Sequence, residues 1–276
     1  MPELPEVETI VRQLREQIIG QVIKKIEILR PDQWKQNCPA EIERALIKQR
    51  IVDVTRRAKF ILIDFQSGCR LIIHLRMTGK LIWSTEKPDI DKFTRTIFYF
   101  AGGSNLQFND TRALGRVVFL SCEEKSPSLE KLGIEPLGDE WRLEILKSLC
   151  NKSRLTLKDF LLDQTKIAGI GNIYASEILF RARIHPERRA HTLSDEEIER
   201  LYHIIPKVLE LAIEKMGTSI GNKVSDYRSV YNVQGEFQNV LTVYGREGEP
   251  CLKCGSPIIR IKQKDRSSFV CENCQK

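Results

Sequence analysis

The chain has 276 residues, 41% hydrophobic and 29% charged, a composition that suits a globular protein with room for two domains. Lys and Arg outnumber Asp and Glu by 44 to 37, and the resulting charge of +7 favours a polyanionic partner such as nucleic acid. No apolar run approaches the ~20 residues of a membrane span, and the acidic start is unlike a secretory leader, so a cytoplasmic protein with no membrane association is expected.

The chain opens Met1-Pro2-Glu3-Leu4-Pro5-Glu6. With Met1 removed, Pro2 carries a free secondary amine. An α-amino group titrates near ~8 and a lysine near ~10.4, so a terminal proline can act as an amine nucleophile without a special pocket. Glu3 is a carboxylate within reach of the same centre. Read alone, the same residues equally describe a disordered start that opens a helix. That helix is expected over 5–19, with Val7, Val11, Leu14 and Ile18 on one face and Gly20 as its stop. It would anchor the N-terminus, leaving Pro2 and Glu3 to project from a fixed platform.

From 22 to about 120 the pattern is that of strands. Residues 22–28 are β-branched, and 50–65 holds two apolar runs around Arg56-Arg57-Ala58-Lys59. Gln66-Ser67-Gly68 predicts a hairpin turn into 70–75, and Gly102-Gly103 predicts another between 96–100 and 105–108. Residues 117–120 close a set that reads as an antiparallel sandwich or barrel. A charged, Pro- and Gly-containing stretch over 123–139 marks a boundary.

Helices follow over 140–150, 156–164 and 173–184, and from a capping box at Ser194-Asp195-Glu196-Glu197 to about Lys215, with a kink expected at Pro206. Residues 216–248 are polar and long enough to include a mobile functional loop. Gly169-Ile170-Gly171-Asn172 precedes a helix, and helix N-termini bind phosphate through free N–H groups. Gly-x-Gly is common in turns, and no nucleotide-cofactor fingerprint accompanies it, so a nucleic-acid phosphodiester is the better target.

Of eight cysteines, Cys38, Cys69, Cys122 and Cys150 are scattered and read as free buried thiols in a reducing compartment. The other four form Cys251-x2-Cys254-x16-Cys271-x2-Cys274, the spacing of a zinc site on two turns, with two disulfides as the alternative. A closed four-sulfur shell makes one Zn2+ structural, standing in for a core that roughly 25 residues cannot build. The intervening Arg260, Lys262, Lys264 and Arg266 suit phosphate contact; a ribbon that only stabilises the C-terminus is the bland alternative.

This combination resembles the bacterial formamidopyrimidine-DNA glycosylases, which remove oxidised purines from DNA. The resemblance covers essentially the whole chain: Met1-Pro2-Glu3-Leu4-Pro5-Glu6-Val7-Glu8, Arg57-Ala58-Lys59-Phe60, His74-Leu75-Arg76-Met77-Thr78-Gly79, Asn109-Asp110-x-Arg112, Gly169-Ile170-Gly171-Asn172-Ile173-Tyr174-Ala175-Ser176-Glu177, and Arg266 with the four cysteines. It implies an α+β multidomain fold. An N-terminal antiparallel β-sandwich with its N-terminal helix would cover 1–135. A helix-two-turn-helix domain carrying a lesion-recognition loop would cover 136–245, and a zinc-ribbon hairpin 246–276.

The resemblance further implies that Pro2 attacks C1′ of the damaged nucleotide, Glu3 acts as general acid on the sugar ring oxygen, and β- then δ-elimination cuts the strand. Lys59 carries over to the active site, and His74, Asn172 and Arg266 to phosphate or active-site contacts. Met77 and Arg112 would fill the gap left by a flipped base. Each of these alone would more often be structural or solvated. The implied partner is double-stranded DNA containing oxidised bases such as 8-oxoguanine and formamidopyrimidines. The implied setting is base excision repair by a nucleoid-associated monomer. Two departures bear on specificity: the usual aromatic third wedge residue is Leu114, and the loop beginning Met216-Gly217-Thr218-Ser219-Ile220-Gly221 differs from the commoner pattern. An endonuclease VIII-like enzyme acting on oxidised pyrimidines, disfavoured by Leu4, and a non-catalytic DNA-binding protein, disfavoured by Pro2 and Glu3, are the competing readings.

Overall fold

A computed structural model describes residues 1–35, 38–220 and 227–276. Packing groups them into two units: Met1–Glu130 with Lys215–Gln238, and Lys131–Glu214 with Asn239–Lys276. Residues 215–238, which chain order groups with the helices, therefore pack in the first unit. The reason is apolar: Tyr227 and Val230 are buried in the same core as the sheets, and Val230 O accepts from Trp83 N at 3.0 Å.

In the first unit α1 spans Leu4–Ile18. Glu3 and Glu6 form a reciprocal capping box at its start, Pro5 fits the first turn, and Gly20 with φ +81° lets the chain leave. Leu4, Val7, Ile10, Leu14 and Ile18 are fully buried, each contributing ~1.5–3 kcal/mol on burial. The strands are β1 (Ile23–Ile28), β2 (Trp34–Lys35), β3 (Ile51–Arg57), β4 (Phe60–Phe65), β5 (Arg70–His74), β6 (Gly79–Ser84), β7 (Thr94–Phe100), β8 (Asn105–Asp110) and β9 (Arg116–Leu120), with α2 (Pro39–Leu46) after β2 and a short α3 (Pro127–Glu130) at the end. They form two sheets, β1-β7-β8-β6 and β2-β9-β5-β4-β3. Every pairing is antiparallel except the short β2–β9 pair. One core joins the sheets, with Phe98, Phe100, Leu106 and Phe108 from the first and Val54, Ile61, Ile63, Leu71 and Ile73 from the second. The Gln66-Ser67-Gly68 hairpin forms as expected, Gly68 at φ +84°.

Among the elements additional to the sequence reading are β6 and α2, beside the short β2 and α3. β6 begins at the last residue of the His74–Gly79 motif and has a buried Lys80 ahead of a short apolar run, which masks it. α2 opens on Pro39 and buries only Ile42 and Leu46. The expected buried thiols divide: Cys69 and Cys150 are buried, whereas Cys38 and Cys122 are exposed, and none is in a disulfide.

The second unit holds α4 (Leu143–Asn151), α5 (Leu157–Leu162), α6 (Asn172–Ala182), α7 (Asp195–Glu214), and the hairpin of β10 (Ile259–Gln263) and β11 (Arg266–Val270). The capping box forms, Ser194 N donating to Glu197 Oε2 at 2.9 Å and Glu197 N to Ser194 Oγ at 3.3 Å. Helix α7 runs unbroken across Pro206. Proline has no N–H for the carbonyl four residues earlier, that of Tyr202. Trp141 supplies the replacement, its Nε1–H donating to Tyr202 O at 3.2 Å while its ring stacks on Tyr202.

A buried carboxylate ties the chain leading to the hairpin onto α6. Glu177 is fully buried. Its oxygens accept from Thr242 N at 2.9 Å, Thr242 Oγ1 at 2.5 Å, Val243 N at 2.9 Å and Tyr244 N at 3.0 Å. Glu177→Gln places an amide donor against donors, so it is expected to cost roughly 2–3 kcal/mol in urea unfolding. A loss below about 0.5 kcal/mol would show that the cradle does not depend on the charge.

Candidate nucleic-acid interface and N-terminal site

Pro2 and Glu3 do not project. Both are buried, Glu3 to 2% exposure, and only Met1 stands clear at 42%. The cause is the helix start itself. Glu3 N donates to Glu6 Oε2 at 2.7 Å, and the other oxygen of Glu6 accepts from Thr218 N at 2.7 Å. Gly217 packs so closely that a Cβ would lie 2.7 Å from the Glu6 side chain. Glu6 therefore joins the first residues to the root of the 215–238 segment. The two arms of that segment are zipped, Glu236 N donating to Lys215 O at 2.8 Å and Phe237 N to Gly217 O at 2.9 Å. Of the expected lesion-recognition loop, residues 221–226 lie outside the described residues.

Lys59 follows the left-handed Ala58 (φ +52°) in the β3–β4 turn and is only 7% exposed. Phe60 pairs with His74 across β4 and β5. His74 is half-buried, its ring edge-on to Phe60 and its Nδ1 accepting from Arg76 N at 3.0 Å. Burial, then the Arg76 and Lys59 cations, push its pKa down to about 3, so the ring is neutral at pH 7.

Met77, Arg112 and Leu114 are all exposed, Met77 at 41% and Leu114 at 39%. They stand on two turns, β5–β6 and β8–β9, that pass from one sheet to the other. The turns share a corner because Gly79 pairs with Asp110 at one side and His74 with Arg116 at the other. A short exposed set of apolar and cationic side chains on a rigid corner is suited to entering a base stack.

In the second unit, Gln164 shapes the Gly-rich turn. Its Nε2 donates to Ile170 O at 2.9 Å and its Oε1 accepts from Gly169 N at 3.0 Å, with Gly169 at φ +95°. Asn172 opens α6 and donates from Nδ2 to Ser267 O at 3.1 Å, while its Oδ1 is buried without a partner. The α6 N-terminus is thereby fixed against β11, whose first residue is the exposed Arg266. Lys158, at 1% exposure, donates to Asn172 O at 3.0 Å and Ser176 Oγ at 2.6 Å. A cleft of about 440 Å³ between α5 and the hairpin is lined by Lys158, Lys264 and Arg266 together with Asp159 and Asp163. Sequence reading passed over Lys158, although a lysine among Leu157, Phe160 and Leu161 is a recognisable signal. It also assigned no role to Thr78 or Asp110, each of which lies inside a quoted motif.

The four cysteines come together, their Sγ atoms all within 4.8 Å of one another. Sγ separations of 3.9 Å for Cys251–Cys274 and 3.4 Å for Cys254–Cys271 are far too long for disulfides. They match the ~3.8 Å edge of a tetrahedron with Zn–S bonds of ~2.3 Å. The site fits one structural Zn2+, with all four positions filled by sulfur. Beneath it lie Phe180, Val243, Ile258 and Phe269, a core too small to stand without the metal.

Three family profiles match the chain: the formamidopyrimidine-DNA glycosylase N-terminal domain over residues 1–117, the formamidopyrimidine-DNA glycosylase H2TH domain over 132–224, and the zinc finger found in FPG and IleRS over 248–276. A formamidopyrimidine-DNA glycosylase of Carboxydothermus hydrogenoformans is 43% identical, with 100% of both chains covered. One from Pelotomaculum thermopropionicum is 40% identical, covering 100% of this chain and 99% of its own. Among solved structures, a Lactococcus lactis FPG mutant in complex with Fapy-dG-containing DNA is similar with a TM-score of 0.92 and 35% identity over 100% of both chains.

Because the folded His74 value lies below the unfolded ~6.5, its contribution to stability is complete above pH ~6.5 and is lost as pH falls toward 3. The loss is at most about 1.4 kcal/mol per pH unit. Urea midpoints of the free protein should fall over pH 6.5 to 4, and His74→Gln should flatten part of that fall. Parallel curves for the two proteins would assign the pH dependence to other groups.

Proposed function

The chain belongs to the formamidopyrimidine-DNA glycosylase family, and on that premise we propose that it is a bifunctional glycosylase and abasic-site lyase that excises oxidised purines from double-stranded DNA through a Schiff base on Pro2. The observation that carries this reading is the N-terminal arrangement: Pro2 directly precedes a carboxylate that the helix cap and Glu6 hold in one place. Met1 is exposed and so open to removal.

The Pro2 amine attacks C1′, the C1′–N bond breaks, and the base departs with a proton. Glu3 gives a proton to the ring oxygen, the sugar opens, and the nitrogen retains C1′ as an iminium. The iminium acidifies the C2′ hydrogen. Loss of that proton expels the 3′ phosphate, and a second elimination expels the 5′ phosphate. One covalent intermediate thus serves base removal and strand cleavage. The base must leave the stack before C1′ is reachable, and Met77, Arg112 and Leu114 fill the vacated space. Leucine stacks less well than an aromatic ring, so discrimination of the opposite base should be weaker than an aromatic wedge gives.

Lys59 serves the active site beside Pro2 and Glu3, His74 contacts the DNA beside the lesion, and Asn172, the Gly169–Gly171 turn and Arg266 hold the backbone from the second unit. The three modules of this reading are 1–135, 136–245 and 246–276, with a monomer acting at the nucleoid in the cytoplasm. Among the described residues no helix is long and apolar enough to cross a membrane.

Borohydride should trap a covalent complex between protein beginning at Pro2 and DNA carrying 8-oxoguanine or a formamidopyrimidine, and Pro2→Gly should trap more weakly. Equal trapping by the variant would move the nucleophile to another amine. Zinc removal or Cys251→Ala should abolish binding to a lesion duplex in a gel-shift assay; undiminished binding without metal would separate the ribbon from DNA recognition.

A further inference from the structure

Asp110 is 1% exposed and ends β8, two residues before Arg112. Its carboxylate serves four donors. Oδ1 accepts from Thr78 Oγ1 at 2.5 Å and from Arg112 N at 3.2 Å. Oδ2 accepts from Gly115 N at 2.7 Å and from Gln33 Nε2 at 3.0 Å. Its backbone carbonyl is held by Arg95, Nε at 2.8 Å. Arg112 N is shared, since it also donates to Thr78 Oγ1 at 3.1 Å.

The four donors come from three pieces of chain. Thr78 belongs to the turn that exposes Met77, and Arg112 and Gly115 begin and end the turn that exposes Arg112 and Leu114. Gln33, fully buried, comes from the segment before β2. Between Arg112 and Leu114, Ala113 sits at φ +52°, a conformation that a side chain adopts only when its surroundings impose it. Gly115 admits no side chain: a Cβ there would lie 2.5 Å from the Phe108 ring and 3.0 Å from Asp110 Oδ2. The turn is therefore fixed at both ends by one carboxylate, and that carboxylate is fixed to the other turn by one hydroxyl.

We propose that Asp110, through Thr78, is a positioning residue that locks the Met77 turn and the Arg112–Leu114 turn into a single wedge, so that the three side chains enter the duplex together. This rests on the glycosylase reading above. Asp110 and Thr78 are buried, at 1% and 7% exposure, and act through the turns they hold. Three exposed side chains on two independent turns would each lose conformational freedom on entering DNA, whereas a braced corner has lost it on folding. The brace matters for steps that require the stack to be opened. It is irrelevant to a nucleotide already unstacked.

That difference supplies the test. Thr78→Val keeps the shape of the side chain and removes the hydroxyl, and Thr78→Ser restores it. Asp110→Asn keeps the shape but sets an amide among donors. Two rates are compared: base excision from a lesion duplex, and borohydride trapping on a preformed abasic site in single-stranded DNA. A 2-aminopurine beside the lesion reports stack opening. Thr78→Val should lower duplex excision about tenfold and reduce the 2-aminopurine signal, with single-strand trapping within about twofold of the parent and Thr78→Ser near the parent in both. Asp110→Asn should show the same split with a larger duplex loss. Equal losses in both assays would make the network merely structural, and an unchanged duplex rate would show that the turns need no brace; either result overturns the proposal. Failure of the parent protein itself to trap single-stranded abasic DNA would overturn the glycosylase reading and this inference with it, and the two failures are distinguished by that control.

Discussion

The first residues of a chain normally fray, yet the chemistry proposed here needs the terminal one held still. The carboxylate of Glu6 resolves that conflict. It takes Glu3 N on one oxygen and Thr218 N on the other, each at 2.7 Å, and is itself 1% exposed. Removing either donor would leave a buried charge underpaired, which costs more than the bond alone contributes. The N-terminus and the root of the 215–238 segment consequently move as one piece. Glycine at 217 is part of the same constraint, because any side chain there would occupy the space of Glu6. The segment then leaves from a fixed base, zipped at both ends and seated on α1 by Val230 N donating to Gln13 Oε1 at 3.1 Å.

The sandwich contributes its turns in the same spirit. Of six described non-glycine residues of the first unit in the left-handed region, three are Ala58, Arg76 and Ala113, at φ +52°, +55° and +52°. Each adjoins a candidate site residue: Lys59, Met77, and the pair Arg112 and Leu114. Left-handed backbone at residues with a Cβ is unfavourable and survives only where surrounding bonds over-determine it. At Arg76 the His74 ring nitrogen accepts the backbone N–H, and at Ala113 the Asp110 carboxylate holds both ends of the turn. Tight turns of this kind aim a side chain outward from a sheet edge without a long loop, so the exposed groups inherit the rigidity of the core.

Local features of this fold were legible in the sequence because their causes are local. Apolar spacing marks α1, Gln66-Ser67-Gly68 marks its hairpin, Ser194 and Glu197 mark the start of α7, and the cysteine spacing marks the zinc ribbon. Partnerships were not legible where their members are far apart. Glu6 meets Thr218, Glu177 meets residues 242–244, and Asp110 meets Gln33 and Thr78. As letters, these acids look like solvated surface residues; only folding turns them inward. The burial of Pro2 and Glu3 was missed although its cause is partly local, the Glu3–Glu6 cap, because the rest comes from Thr218, more than two hundred residues away. β6 escaped because it opens on Gly79 and Lys80 and keeps only a three-residue apolar run, and residues 215–238 were grouped by chain order although Tyr227 and Val230 pack with the sheets.

Charge placement shows how these local devices combine. The protein holds Lys59 at 7% exposure and Lys158 at 1%, and it keeps His74 neutral against nearby Arg76 and Lys59. Crowding a half-buried histidine with cations disfavours its protonated form. An anion beside them reverses the sign. A phosphodiester near Lys59 and Arg76 would favour the protonated form of His74 that the free protein disfavours, and Lys158 lies under the same α6 N-terminus whose free N–H groups suit a phosphate. On the proposed reading these groups would face a phosphodiester, and Asn172, whose Oδ1 is buried without a hydrogen bond, stands at the same α6 N-terminus. On the proposed reading, a substitution that relieves the cationic crowding around His74 is therefore expected to weaken DNA binding as well.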